Sequence, residues 1–320
     1  MATATAAAAG AIVVGSVWGT LARLGLVGLT SYDGQSITPL VWAQAVGCLV
    51  MGWASHARTQ RALEAWHPTC IVLLTTGFAG SCTSFSSWVL QVFQAFANDE
   101  HWDRRGLHSV MDALTQTGAT VGLGLAGLWA GHAVADSFPM DQVRMHTVPP
   151  RLGAWALVMA GVLTWAGAAL LCGLYTSYRD VTLAVVMAPA GALMRWQLAR
   201  LNVPRNAKEP RPLCERCAWP WGTALANLLA TLLFAALVTL QRTRAHTQLT
   251  CHALDGLQNG FAGTLSTVST LMLELTMLRP LRTAFAYLFV SWVVGVLVCL
   301  WLVGVPTWTM HLPSTCAIVP

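Results

Sequence analysis

The chain has 320 residues, 55% of them hydrophobic and only 10% charged, with a net charge of +5. Soluble domains carry about 25% charged residues, so this composition excludes an ordinary soluble domain, whose surface would need that charge however large its core. A bilayer as solvent removes the need. The mean hydropathy of +0.57 agrees, and the small basic excess sits in loops, which suits topology setting and leaves no footprint for nucleic acid.

The stretch from Met1 to Gly10 has no basic segment before its apolar run, so it is expected to lead into the first span rather than form a cleaved leader. A spanning helix needs about 20 mostly apolar residues. Nine candidates follow, at 11–30, 38–56, 69–97, 108–134, 152–174, 181–201, 218–240, 252–278 and 283–304. The second carries Pro39 near its start. The third and eighth are long and rich in Gly, Ser and Thr, a composition that breaks helices and lets backbone line a polar cavity. Trp66, Trp102 and Trp219 lie near span ends, where indoles anchor at the interface. Cysteines such as Cys48, Cys172 and Cys299 fall within spans and read as buried free thiols. Cys214 and Cys217 form a lone Cys-x-x-Cys with no second ligand pair, which reads as plain loop rather than a zinc site.

Loop charge sets an orientation. Arg58 and Arg61, then Arg200, Arg205, Lys208, Arg211 and Arg216, then Arg279 and Arg282 all fall on one side if the N-terminus is cytoplasmic, as the positive-inside bias requires. Arg242 and Arg244 fall on the other side and oppose it.

The chain repeats itself. Gly77-Phe-Ala-Gly80-Ser-Cys-Thr83-Ser84-Phe85-Ser86-Ser87 returns as Gly260-Phe-Ala-Gly263-Thr-Leu-Ser266-Thr267-Val268-Ser269-Thr270, and Gly19-Thr-Leu-Ala-Arg23 returns as Gly191-Ala-Leu-Met-Arg195. Spans one to four correspond to six to nine, and span five has no partner. A single extra crossing makes the second half begin on the opposite side, so the halves are inverted about an axis in the membrane plane. The predicted fold is therefore all-α and integral to the membrane, 4+1+4. A first half occupies 1–135, a loop and inverting helix 136–178, and a second half 179–320.

Ionisable groups inside spans are functional suspects. Arg23 and Arg195 occupy matching places; each faces either backbone carbonyls or an aqueous mouth that attracts anions, and snorkelling is the plainer alternative. Asp112 and Glu274 lie toward span ends, and no carboxylate sits mid-span in both halves. Two glycine-permitted breaks meeting at an axis would pool carbonyl oxygens for a small hard cation, whereas close packing through small residues is the alternative. Thr223 and Asn227, and likewise Tyr287 and Ser291, are spaced i, i+4 on one helix face and all donate hydrogen bonds. Phe85 and Trp88 stand one turn apart and present aromatic edges.

Together these residues resemble the Fluc fluoride channels, also called CrcB proteins, and the whole chain looks like their eukaryotic fused form, the FEX fluoride exporters. Gly77 to Trp88 is close to the family's third-span signature and Gly260 to Leu271 is looser. Gly222-Thr223-x-x-x-Asn227 and Tyr287-x-x-x-Ser291-x-x-x-Gly295 repeat two further elements. The resemblance implies a passive, fluoride-selective channel rather than an enzyme, exporting fluoride across the plasma membrane as a monomeric pseudo-dimer. It further implies a structural Na⁺ held by the carbonyls of Gly80, Thr83, Gly263 and Ser266, and pores lined by Thr223, Asn227, Tyr287, Ser291, Phe85 and Trp88. The first half departs from the pattern, with Leu40 and Gln44, and about Gln116 and Thr120, at the donor positions. The second departs at the aromatics, with Val268 and Leu271. One working pore is expected, combining second-half donors with first-half aromatics. The rivals are an inverted-repeat secondary transporter of a small solute, whose signature would be mid-span carboxylates in both halves, and a packing scaffold.

Overall fold

A computed structural model describes residues 2–32, 37–99, 101–140, 149–202, 219–243 and 245–316 and shows an all-helical chain. The first helix, α1 (Ala2–Thr30), is an unbroken run of Ala, Gly, Val and Leu. Pro39 stands at the start of α2 (Leu40–Ser55), where its missing N–H costs nothing. At His56 the backbone becomes extended and the chain turns by 73° into α3 (Ala57–Trp66), whose Arg58, Arg61 and Glu64 are too polar for the hydrocarbon.

The third span is built in pieces: α4 (Cys70–Val72), a π-helical stretch Leu73–Ala79, α5 (Gly80–Cys82), two extended residues, then α6 (Phe85–Ala97). The long helices α7 (Gly106–Ser137), α8 (Pro150–Leu174), α9 (Arg179–Leu198) and α10 (Trp221–Thr243) follow. The eighth span repeats the third: α11 (Gln248–Asp255), a π-helical stretch Gly256–Ala262, α12 (Gly263–Leu265), a break at 266–268, and α13 (Ser269–Met277). The chain closes with α14 (Leu281–Cys299), a π-helical stretch Leu300–Gly304, and α15 (Val305–Met310). By length and composition 7 helices can cross a bilayer, or 8 with the bent α2–α3 pair. The remaining expected span, 252–278, is helical but interrupted at its break.

Helices α1 and α9 pack together at the centre, and the largest buried cluster mixes the halves: Phe85, Trp88 and Phe93 of α6 lie with Phe234, Leu271, Met272, Tyr287 and Val303. Neither half encloses that core alone. Helix α8 stays at the periphery, where Gly161 lies against Gly10 of α1 and lets the two backbones touch; most of its remaining surface is exposed. That placement suits a tether.

Cys48, Cys70, Cys82 and Cys299 are buried free thiols, while Cys172 is only half-buried. Cys251 and Cys316 depart from the expectation: they form a disulfide across 65 residues. No spacing signals it, because the pair meets only when the start of α11 and the segment after α15 reach the same end of the bundle. Cys214 and Cys217 lie outside the described residues, as do Arg205, Lys208, Arg211, Arg216 and Arg244.

Candidate ion pathway

Both repeated Gly/Ser/Thr segments break, at Thr83–Ser84 and at Ser266–Val268, and in each half a π-helical stretch of 7 residues precedes the break. An amide side chain holds each break open. Gln44 of α2 donates to the Ser84 carbonyl at 2.8 Å and accepts from the Ser84 N–H at 3.2 Å. Asn227 of α10 donates to the Thr267 carbonyl at 3.2 Å and accepts from the Thr267 N–H at 2.7 Å. Gln44 and Asn227 thus do the same work. The sequence places Gln44 at the position matching Asn227, and the two amides make the same pair of bonds.

These brackets free carbonyls. In an unbroken helix the Ser84 N–H would bond the Gly80 oxygen and the Thr267 N–H the Gly263 oxygen; here both N–H groups go to side chains. The Ser87 N–H turns to Ser84 Oγ and the Thr270 N–H to Thr267 Oγ1, so the carbonyls of Thr83 and Ser266 also lose their helical partners. The two breaks meet through hydroxyls: Thr83 Oγ1 lies 3.2 Å from Thr267 Oγ1 and 3.2 Å from Ser269 Oγ, and Ser266 Oγ lies 3.0 Å from Ser86 Oγ. The freed carbonyls take other donors in part: Gly80 accepts from Arg195 at 2.5 Å and Gly263 from Ser266 Oγ at 3.4 Å.

The arginines are crossed. Arg195 of α9 donates to the carbonyls of Gly80 at 2.5 Å and Thr76 at 2.6 Å, both in the first half. Arg23 of α1 donates to the Asn259 carbonyl in the second half. Both side chains are buried. Of the two readings left open by sequence, the geometry matches the one that faces carbonyls, and neither arginine lines an open mouth. Arg195 also shares the Gly80 oxygen that a cation would use.

On the side lined by α10, α14 and α6, a cavity of about 210 Å³ is bounded by Phe85, Asn227, Thr231, Ser291, Gly295 and Trp219, among others. It gathers three of the expected pore residues, Phe85, Asn227 and Ser291. Trp88 stands against Phe85, ring centroids 5.5 Å apart and nearly perpendicular. Thr223 and Tyr287 are placed differently. Both hydroxyls donate to the buried carboxylate of Glu274, at 2.5 and 3.1 Å, and Asn202 joins the group through Thr223 at 2.9 Å. Trp219, which borders the cavity, lies against Tyr287 with ring centroids 5.6 Å apart and planes tilted by 55°. Asn202 is a residue that sequence reasoning missed, and Glu274, noted there only as a carboxylate toward a span end, is the acceptor that gathers the cluster. Glu274 sits six residues past Val268, and its position i, i+3 to Leu271 on α13 was the available signal.

On the opposite side α2 packs closely on α7, although a cavity of about 300 Å³ lies between α7, α13 and α14, lined by Val121, Leu125, Leu275 and Leu288 among others. A Cβ on Gly127 would lie 2.5 Å from the Ala45 carbonyl oxygen, and one on Gly131 2.5 Å from the Trp53 nitrogen. One on Gly52 would lie 2.8 Å from the Leu128 carbonyl carbon. These glycines bring the backbones of α2 and α7 into contact along their length. Gln116, at the donor position here, is turned toward Thr38 and Asp112.

Two repeats whose broken helices meet at a buried junction, beside a largely apolar cavity bordered by Asn227 and Ser291, define a pseudo-symmetric membrane protein. The chain belongs to the CrcB family: the family model described as CrcB-like protein, Camphor Resistance (CrcB), matches residues 10–132 and again 182–305, passing over α8. It is 32% identical over 314 residues to Fluoride export protein 1 of Candida albicans, covering 90% of this chain and 76% of that one. It is 31% identical over 309 residues to Fluoride export protein 1 of Schizosaccharomyces pombe, covering 92% and 94%. Fluoride-specific ion channel FluC 1 of Lactobacillus delbrueckii matches at 29% over 120 residues, 37% of this chain and 80% of that one. No solved structure matches.

Proposed function

We propose that the chain is a passive fluoride channel of the plasma membrane, with one conducting path on the α10, α14 and α6 side. The cavity shared by Phe85, Asn227 and Ser291, set against the glycine-closed packing of α2 on α7, carries the reading. Burying bare fluoride costs tens of kcal/mol in the Born limit, so its water must be replaced in steps. Asn227 Nδ2–H, the Ser291 hydroxyl and the edge of Phe85 supply successive partners. An inside-negative potential drives the anion out at about 2.3 kcal/mol per charge per 100 mV. Glu274 has Gln91 at the matching place in the first half, so the paired carboxylates of a coupled transporter are not found among the described residues. The names of the fungal and bacterial relatives support the same ion.

At the junction, the carbonyls of Gly80, Thr83, Gly263 and Ser266 would hold a Na⁺, which screens the two breaks from one another. Because Arg23 and Arg195 already bond these segments, exchange of Na⁺ for a large organic cation is expected to lower the melting temperature of purified protein without unfolding it; an unchanged melting temperature counts against the site. Fluoride efflux from liposomes holding the purified chain tests the function. Fast, uncoupled efflux is expected, and none in a correctly folded preparation would refute it.

A further inference from the structure

The cavity of about 300 Å³ between α7, α13 and α14 belongs to neither break. Its lining is almost wholly apolar, and Trp129, Leu281 and Phe285 on its rim are exposed on the outer surface of the bundle. From Leu281 to Leu288 it follows α14 for about 10 Å. In a bilayer such an open apolar groove is filled by a hydrocarbon chain. That alone selects nothing, because a lipid tail gains little by exchanging other tails for leucines. Selection has to come from the end of the groove. Arg279 is the one charged residue in the lining. It is exposed, and its hydrogen bond goes to the adjoining Leu278 carbonyl at 3.2 Å. Arg282 follows three residues on and is exposed as well. Among the described residues neither arginine makes an ion pair. The carboxylates on the same helices are engaged elsewhere, Glu274 by Thr223 and Tyr287 and Asp136 by His56 at 3.3 Å. The loop-charge orientation puts Arg279 and Arg282 on the cytoplasmic side, the leaflet where anionic lipids attract basic segments.

We propose that this groove binds one anionic phospholipid of the cytoplasmic leaflet, with its phosphate on Arg279 and Arg282 and one acyl chain laid between α7 and α14. Helix α7 belongs to the first half and α13 and α14 to the second, so the lipid braces the two halves at that end. The arginines choose the headgroup and the groove fixes where the chain lies.

The test is native mass spectrometry of the purified chain in detergent, supplied with phosphatidylserine or phosphatidylcholine of identical acyl chains. Wild type is expected to retain one phosphatidylserine in preference to phosphatidylcholine. Arg279→Gln is expected to weaken that retention about fivefold, the effect of one basic residue near an anionic headgroup. Arg61→Gln, on the same side but on α3, is expected to leave it unchanged. Ala284→Leu adds bulk to the groove and is expected to lower retention of both lipids, with its melting temperature in lipid-free detergent showing that it folds; if it does not fold, Arg279→Gln decides alone. Equal retention of the two lipids by wild type would overturn the proposal, because it means that the tail alone binds. Equal losses at Arg279 and Arg61 would overturn it as well, because they mean that surface charge acts in bulk. A dimer mass without lipid would instead make the groove a contact between two copies of the chain, and the proposal would fall.

Discussion

At the residue scale the crossed arginines tie the two halves together. A Cβ on Gly80 would lie 2.5 Å from Arg195 Cζ, and one on Gly263 2.7 Å from Arg23 Nη2. Glycine is required at these two places by a guanidinium pressed against the backbone as well as by the nearby break. A buried hydrogen bond from a charged group contributes about 1.5–3 kcal/mol, and an alanine at either place displaces at least one. Gly80→Ala and Gly263→Ala are each expected to destabilise by about that amount, read by denaturation in detergent. Neutral behaviour of both would mean that the arginines are held elsewhere. The same scale explains one of the two charges that oppose the loop-charge orientation, the other, Arg244, lying outside the described residues. Arg242 is buried and bonded to Asp99 at 3.1 Å, so it answers to its partner and not to the membrane potential of the nascent chain. Glycines, hydroxyls and arginines were all legible in the sequence as site material. Their pairings were not, because Arg195 meets Gly80 across 115 residues, and a sequence shows candidates for a bond without showing which carbonyl they reach.

At the element scale, the repeat was legible and its consequences were only partly so. Gly-rich segments in the third and eighth spans predict breaks, and both breaks occur. The π-helical stretches before them carry no clear sequence mark. The closure of the first-half side was likewise hidden. Gly52, Gly127 and Gly131 look like ordinary small residues of membrane helices until α2 and α7 are seen in contact. Gly52→Ala and Gly131→Ala should force these backbones apart and cost about 1–3 kcal/mol each by overpacking. Gly295→Ala on α14 should cost less, since its nearest neighbours are side-chain carbons of Val89 and Phe85 at 3.0 and 3.2 Å. Thermal unfolding of the three proteins side by side measures this. A Gly295 variant as damaged as the other two would mean that the cavity side is packed as tightly as the closed one.

At the scale of the whole molecule, an odd number of crossings places the termini on opposite faces. The Cys251–Cys316 bridge bears on this, because disulfides persist in oxidising compartments. It lies at the end expected to face outward, opposite Arg58 and Arg61 on α3. Labelling single cysteines placed near each terminus from one side of sealed vesicles should reach one terminus only, with the bridge on the same face as the C-terminus; labelling of both would break the inverted arrangement. Composition made the membrane class legible, and duplication made the 4+1+4 plan legible. Which side conducts depends on how two helices pack, and that is written in no single motif.

The account turns on one conducting path, and paired substitutions at matching places test it. Ser291 borders the cavity, and Thr120 is its counterpart on the closed side, buried on α7. Fluoride efflux should be measured for Ser291→Ala and Thr120→Ala at equal protein density in liposomes. Loss of a donor to a dehydrated anion is expected to slow Ser291→Ala about tenfold, with Thr120→Ala close to wild type. Equal losses at the two positions, or a larger loss at Thr120, would contradict the single path.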